Sequence, residues 1–121
     1  MLRGMDDVWY VDDTGSFRRL MQDLIPKSGH QVRFFSDGAE AYAALQRGEK
    51  PKLLVTDHDM PVMKGLELIA AARKMHPDLR MILLSSLDLK IEAEALGAAY
   101  LQKPFLHAAF ITLVNDWYPK E

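Results

Sequence analysis

The amino-acid sequence predicts a doubly wound α/β domain, and three observations carry that prediction. Apolar runs of strand length recur at Val8–Val11, 53–56 and 81–84. They are continuous rather than alternating, as expected of parallel strands covered on both faces. Segments with apolar residues at helical spacing separate them. Each run also ends on polar residues: Asp12-Asp13, Asp57, Ser85-Ser86 and, after a shorter run, Lys103. Those ends share the carboxyl edge of a parallel sheet, the edge where open α/β sheets bind ligands.

The chain has 121 residues, enough for one proper core but not two, so residues 1–121 are read as one domain. A hydrophobic content of 49% with 26% charged residues places it among soluble globular proteins. A net charge of −2 offers no footprint for nucleic acid or an acidic membrane, so neither is expected as a partner. The absence of cysteine excludes disulfides and thiolate metal sites, and fits a cytoplasmic location. Residues 1–7 show no signal-peptide pattern, and no apolar stretch approaches the roughly 20 residues of a bilayer span.

Taken in order, Val8–Val11 is the first strand, broken by Asp12-Asp13-Thr14-Gly15. Ser16 is the expected N-cap of a helix whose stripe is Phe17, Leu20, Met21, Leu24 and Ile25. Pro26 disfavours helical geometry at Ile25 and ends it there. Gly29 turns the chain into residues 31–35, an edge strand carrying Arg33. Asp37 and Glu40 have capping-box spacing, with Ala41, Tyr42 and Leu45 as the apolar side of the second helix. After the strand at 53–56, Gly65 introduces a helix over 66–75 with Leu68, Ala72 and Met75 on one stripe, stopped by Pro77. The strand at 81–84 follows, then a short helix over 91–96 closed by Gly97, and a strand at Ala99–Gln102. Phe105, Ala109, Leu113 and Trp117 mark a last helix ending near Tyr118. Five βα units with right-handed crossovers make a parallel sheet with helices on both faces.

Three like charges in one crevice, on Asp12, Asp13 and Asp57, repel one another unless cations intervene. Lys103 supplies one positive charge, too little for three acids. Oxygen ligands without cysteine point to Mg²⁺, which shares its coordination with a phosphate. The site therefore reads as Mg²⁺ plus a phosphoryl group. Ser85 can donate its hydroxyl to a phosphoryl oxygen and Lys103 can neutralise another. Asp57 is left as the nucleophile that forms an acyl phosphate.

These residues resemble, over nearly the full length, the receiver domain of two-component response regulators. Asp12-Asp13 match its acidic pair, with Asp13 in the directly metal-ligating position. Asp57 matches its phosphorylated aspartate, followed by Met60-Pro61 and Gly65. Asp59 falls where the family offers a backbone carbonyl to the metal. Ser85 matches the Ser/Thr, Tyr100 the switch aromatic, and Lys103-Pro104 the Lys-Pro pair, whose peptide bond is usually cis. The resemblance implies the flavodoxin-like strand order 2-1-3-4-5, which brings Asp12, Asp13, Asp57, Ser85 and Lys103 to one edge. It also implies a sensor histidine kinase or phosphotransfer protein as phosphodonor. An output domain or downstream protein would bind the face built from the fourth helix, fifth strand and fifth helix. The domain would catalyse only its own phosphorylation and dephosphorylation. In the phosphorylated state Ser85 would donate to the phosphoryl group and the Tyr100 ring would move from partly exposed to buried. The sequence departs from the family in its acid at Asp59, in Ser86 where Ala is usual, and between Ser85 and Gly97, a stretch about three residues short.

Two other functions compete. Asp57-His58-Asp59 after an apolar strand also resembles the nucleophile motif of haloacid dehalogenase-like phosphatases, which usually lies on the first strand of a longer chain. A pseudo-receiver that only binds partners is the third, disfavoured by the intact acid, hydroxyl and lysine set. His30, His58, His76 and His107 lack ligand spacing and are read as surface or structural.

Overall fold

The computed structural model describes residues 8–25 and 29–119, without the side chains of Ser16 and Phe17. Residues 1–7, Pro26 and the Phe17 side chain, each used in the sequence reading, lie outside the described residues. The elements are β1 (Val8–Val11), α1 (Gly15–Leu24), β2 (Val32–Phe35), α2 (Gly38–Gln46), β3 (Leu53–Asp57), α3 (Gly65–Met75), β4 (Arg80–Ser85), α4 (Lys90–Ala95), β5 (Ala99–Gln102) and α5 (His107–Trp117). All strand pairings are parallel, in the expected order β2-β1-β3-β4-β5.

Side-chain parity along the strands divides the core into two layers. Trp9, Val11, Leu54, Met81 and Leu83 face α2, α3 and α4, where Ala41, Leu45, Leu68, Ile69, Ala72 and Ala93 meet them. Val8, Tyr10, Leu53, Val55, Ile82 and Leu84 face α1 and α5, and pack on Met21, Leu24, Ile25, Phe110 and Val114. The central strands are buried on both faces, which is why their sequences run apolar without alternation. Phe110 is wholly buried, and a side chain of that size contributes about 2–3 kcal/mol by leaving water.

Several local expectations change. The first helix starts at Gly15 with Thr14 as its N-cap, not Ser16. The reason is an Asx turn: the Thr14 amide donates to Asp12 Oδ1 at 2.9 Å and starts the helix early. Asp37 caps α2 by accepting the Glu40 amide at 2.8 Å. Glu40 reaches back one residue further than a capping box requires, to the Ser36 amide at 3.0 Å. In α5 the inward residues are Phe110 and Val114, whereas Ala109 is exposed and Leu113 only half-buried. Two apolar stripes run along this helix, and docking on β4 selects the one next to that expected.

Gly65 is set by close approach. A Cβ there would lie 2.4 Å from the Asp57 carbonyl oxygen and 2.8 Å from His58 Cα. The start of α3 is thereby pressed against the end of β3. Arg73 near the end of α3 fastens the short α4, donating to the carbonyls of Leu96 at 3.0 Å, Gly97 at 3.2 Å and Pro77 at 2.7 Å.

Candidate functional site

The strand order reverses direction at β1, whose two neighbours are β2 and β3. The crevice beyond the carboxyl ends of β1 and β3 is therefore the topological switch point. Asp12 and Asp13 follow β1 directly, and Asp57 is the last residue of β3. Carboxylate oxygens of Asp12, Asp13 and Asp57 lie within 4.8 Å of one another. Asp12 is wholly buried, Asp57 is 2% exposed, and Asp13 is open to solvent. Two buried carboxylates beside a solvent-facing one form a hard oxygen donor set, which suits a Mg²⁺ ion that keeps several of its waters. The Asp59 side chain is exposed and stands outside this cluster. The resemblance implies only a backbone carbonyl from that position.

Lys103 comes from the end of β5. Its backbone amide donates to the Ser85 carbonyl at 2.8 Å, continuing the β4–β5 ladder by one bond. Its Nζ meets Asp57 Oδ1 at 2.6 Å. The Lys103-Pro104 peptide is cis, as the resemblance implied. Burial pushes the Asp57 carboxyl above the usual carboxylate range. The Lys103 hydrogen bond and charge pull it back, and the charges of Asp12 and Asp59 add to the rise.

Ser85 ends β4 and is fully buried. Its Oγ accepts the Leu87 amide at 3.0 Å. That uses a lone pair, and the hydroxyl proton remains a separate donor. Tyr100 on β5 is half-buried, and its hydroxyl donates to the Leu87 carbonyl and, at 3.4 Å, to that of Ser85. The ring is thus tied to the end of β4 and the loop that follows Ser85. His58 is structural: its Nδ1 accepts the Leu66 amide at 3.3 Å and helps start α3.

One residue with a part in the site escaped the sequence reading. Tyr10 lies in the first apolar run, where its pattern marks it as core. Its hydroxyl donates to Asp12 Oδ2 at 2.7 Å. Burial raises the Tyr10 pKa further above its ordinary value, and the charge of Asp12 adds to it, so the phenol stays protonated. The available signal was the spacing: residues two apart on an extended strand point to the same face.

Comparisons with known proteins agree with this geometry. The family model for the response regulator receiver domain matches residues 8–115. The DNA-binding transcriptional regulator NtrC of Escherichia coli is 38% identical over 109 residues, covering 87% of this chain and 23% of NtrC. The chain thus spans about a quarter of the length of the NtrC relatives it matches. The response regulator receiver protein CpdR of Brucella abortus is 35% identical over 106 residues, 84% of this chain and 87% of CpdR. The structure of the chemotaxis protein CheY4 of Vibrio cholerae superposes with a TM-score of 0.81 at 28% identity, over 94% of this chain and 99% of that one. A five-stranded parallel sheet in the order 2-1-3-4-5, an acidic crevice at its switch point and a matching family model across nearly every element lead to one conclusion: this chain belongs to the response regulator receiver domains of two-component systems.

Proposed function

We propose that this domain accepts a phosphoryl group on Asp57 in a Mg²⁺-dependent reaction, with a sensor histidine kinase, a phosphotransfer protein or a small phosphodonor as source. The observation that carries the reading is the convergence of Asp12, Asp13, Asp57 and Lys103 at one strand edge. Asp12, Asp13 and Asp57 would hold the ion, and Asp59 would contribute its backbone carbonyl. Bound Mg²⁺ would supply charge neutralisation for the phosphoryl oxygens. The Asp57 carboxylate attacks phosphorus in line. A P–O bond to Asp57 forms as the P–N bond to the donor histidine breaks, and the leaving imidazole keeps the electron pair and is protonated. Lys103, already on Asp57 Oδ1, follows the charge onto the phosphoryl group. Ser85 donates its hydroxyl to a phosphoryl oxygen and draws on the loop that Tyr100 holds. The domain turns over no separate substrate and acts only on its own phosphorylation.

The readout surface is the face of α4, β5 and α5. It carries a groove of about 470 Å³ lined by Tyr100, Leu101, Ala109 and Leu113, and Ile91 of α4 is exposed. Its partner would be an output domain or downstream protein. Kinship with a transcriptional regulator supports a cytoplasmic setting, and among the described residues no helix is long and apolar enough to cross a membrane.

The test is intact-mass measurement after incubation with acetyl phosphate and Mg²⁺. The wild type gains one phosphoryl group, and Asp57→Asn does not. Equal modification of the two proteins refutes the assignment, and turnover of a generic phosphate monoester would favour the phosphatase reading instead.

A further inference from the structure

We propose that Tyr10 is a positioning residue for Mg²⁺ binding: its buried hydroxyl holds the Asp12 carboxylate in the orientation that receives the ion. The inference rests on the Mg²⁺-dependent reading of the site and assigns a role to a residue outside its acid, hydroxyl and lysine set.

Asp12 is wholly buried and each of its oxygens has a donor. Oδ2 accepts the Tyr10 hydroxyl at 2.7 Å, and Oδ1 accepts the Thr14 amide at 2.9 Å. Two donors on two oxygens fix the carboxylate's tilt and rotation. The remaining lone pairs then point where the backbone and Tyr10 dictate. The Tyr10 donor is itself rigid. Its side chain is 0% exposed, packed in the layer under α1 and α5, and its ring meets Phe34 edge-on at 5.9 Å. A neutral hydroxyl suits this position physically. It stabilises a buried negative charge without bringing a cation that would compete with the metal. A preorganised ligand loses less conformational freedom when the ion arrives.

The experiment is calorimetric titration of the chain with MgCl₂ at constant ionic strength, comparing wild type with Tyr10→Phe. The substitution keeps the ring and removes only the oxygen. Loss of one hydrogen bond to a charged group should raise the Kd for Mg²⁺ about five-fold or more. In an Asp12→Asn background the same substitution should leave the Kd unchanged, because the carboxylate it orients is gone. A purely structural hydroxyl would shift the urea midpoint of Tyr10→Phe without moving its Kd. That result, or tighter binding in the variant, overturns the proposal, as does a five-fold effect that persists in the Asp12→Asn background. A second readout uses the wild type alone. The ¹³Cζ resonance of Tyr10 should shift with the same Mg²⁺ dependence as the heat signal, and an unmoved resonance at saturation overturns the proposal. A wild type that takes up no Mg²⁺ overturns both the proposal and the Mg²⁺-dependent reading. A wild type that binds Mg²⁺ with the same Kd as Tyr10→Phe overturns this proposal alone.

Discussion

Replacing Asp57 by Asn should stabilise the metal-free domain at neutral pH, although it breaks the ion pair with Lys103. The Asp57 side chain is 3% exposed and meets Lys103 at 2.6 Å. The charge-assisted bond contributes about 1.5–3 kcal/mol. Against it stands the cost of holding a carboxylate out of water, several kcal/mol. Repulsion from Asp12 and Asp59 adds to that cost. The direction of the carboxyl's shift settles the balance: burial raises it above the ordinary value despite Lys103. Below the ordinary carboxylate pKa, Asp57 is protonated in both folded and unfolded chains and contributes nothing. Between the ordinary and the raised value the folded chain keeps a proton that the unfolded chain releases, so stability falls as pH rises. Above the raised value the whole penalty is present, and Asn removes it. Lys103 is not stranded by the change, because its side chain is 24% exposed and its ammonium can turn to solvent.

The several kcal/mol of desolvation less about 1.5–3 kcal/mol for the bond leave a net gain on the order of 1 kcal/mol at pH 7 in chelator. The gain should shrink as pH falls from neutral toward the ordinary carboxylate pKa. Urea unfolding of both proteins across that range measures it. With Mg²⁺ in 100-fold excess over its Kd the wild type gains about 2.7 kcal/mol, and the order should reverse. An Asn variant less stable than wild type at pH 7 without metal would refute the reasoning. So would a difference that does not vary with pH.

Two further predictions follow from packing. Gly65→Ala should cost about 3 kcal/mol and displace Asp57, because the new Cβ meets backbone at 2.4 and 2.8 Å that cannot step aside; a urea midpoint equal to wild type would contradict this. Arg73→Ala should cost about 1–2 kcal/mol and speed amide exchange in α4, whose end it fastens through the Leu96 and Gly97 carbonyls; unchanged exchange there would show that α4 is held by other contacts.

The strands were legible because the central ones are buried on both faces, and such burial leaves an uninterrupted apolar run in the sequence. The candidate site was legible for a related reason: polar residues that stop apolar runs must emerge at strand ends, and parallel strands put those ends on one edge. Asp12, Asp13, Asp57, Ser85 and Lys103 could all be named that way. What escaped depended on which neighbour a side chain meets across the fold. Tyr10 reads as core in sequence; Asp12 lies only two residues on, and the packing of α1 and α5 over this face of β1 is what buries the hydroxyl and the carboxylate together. Gly65 reads as the start of a helix, and only the contact of α3 with the end of β3 shows that a methyl group has no room. In α5 the sequence carries two apolar stripes, and the sheet selects Phe110 and Val114 over Ala109 and Leu113. Periodicity and strand-end chemistry belong to the local chain. The choice among equivalent faces, and the reach of one hydroxyl or one missing methyl, is made only when distant segments pack.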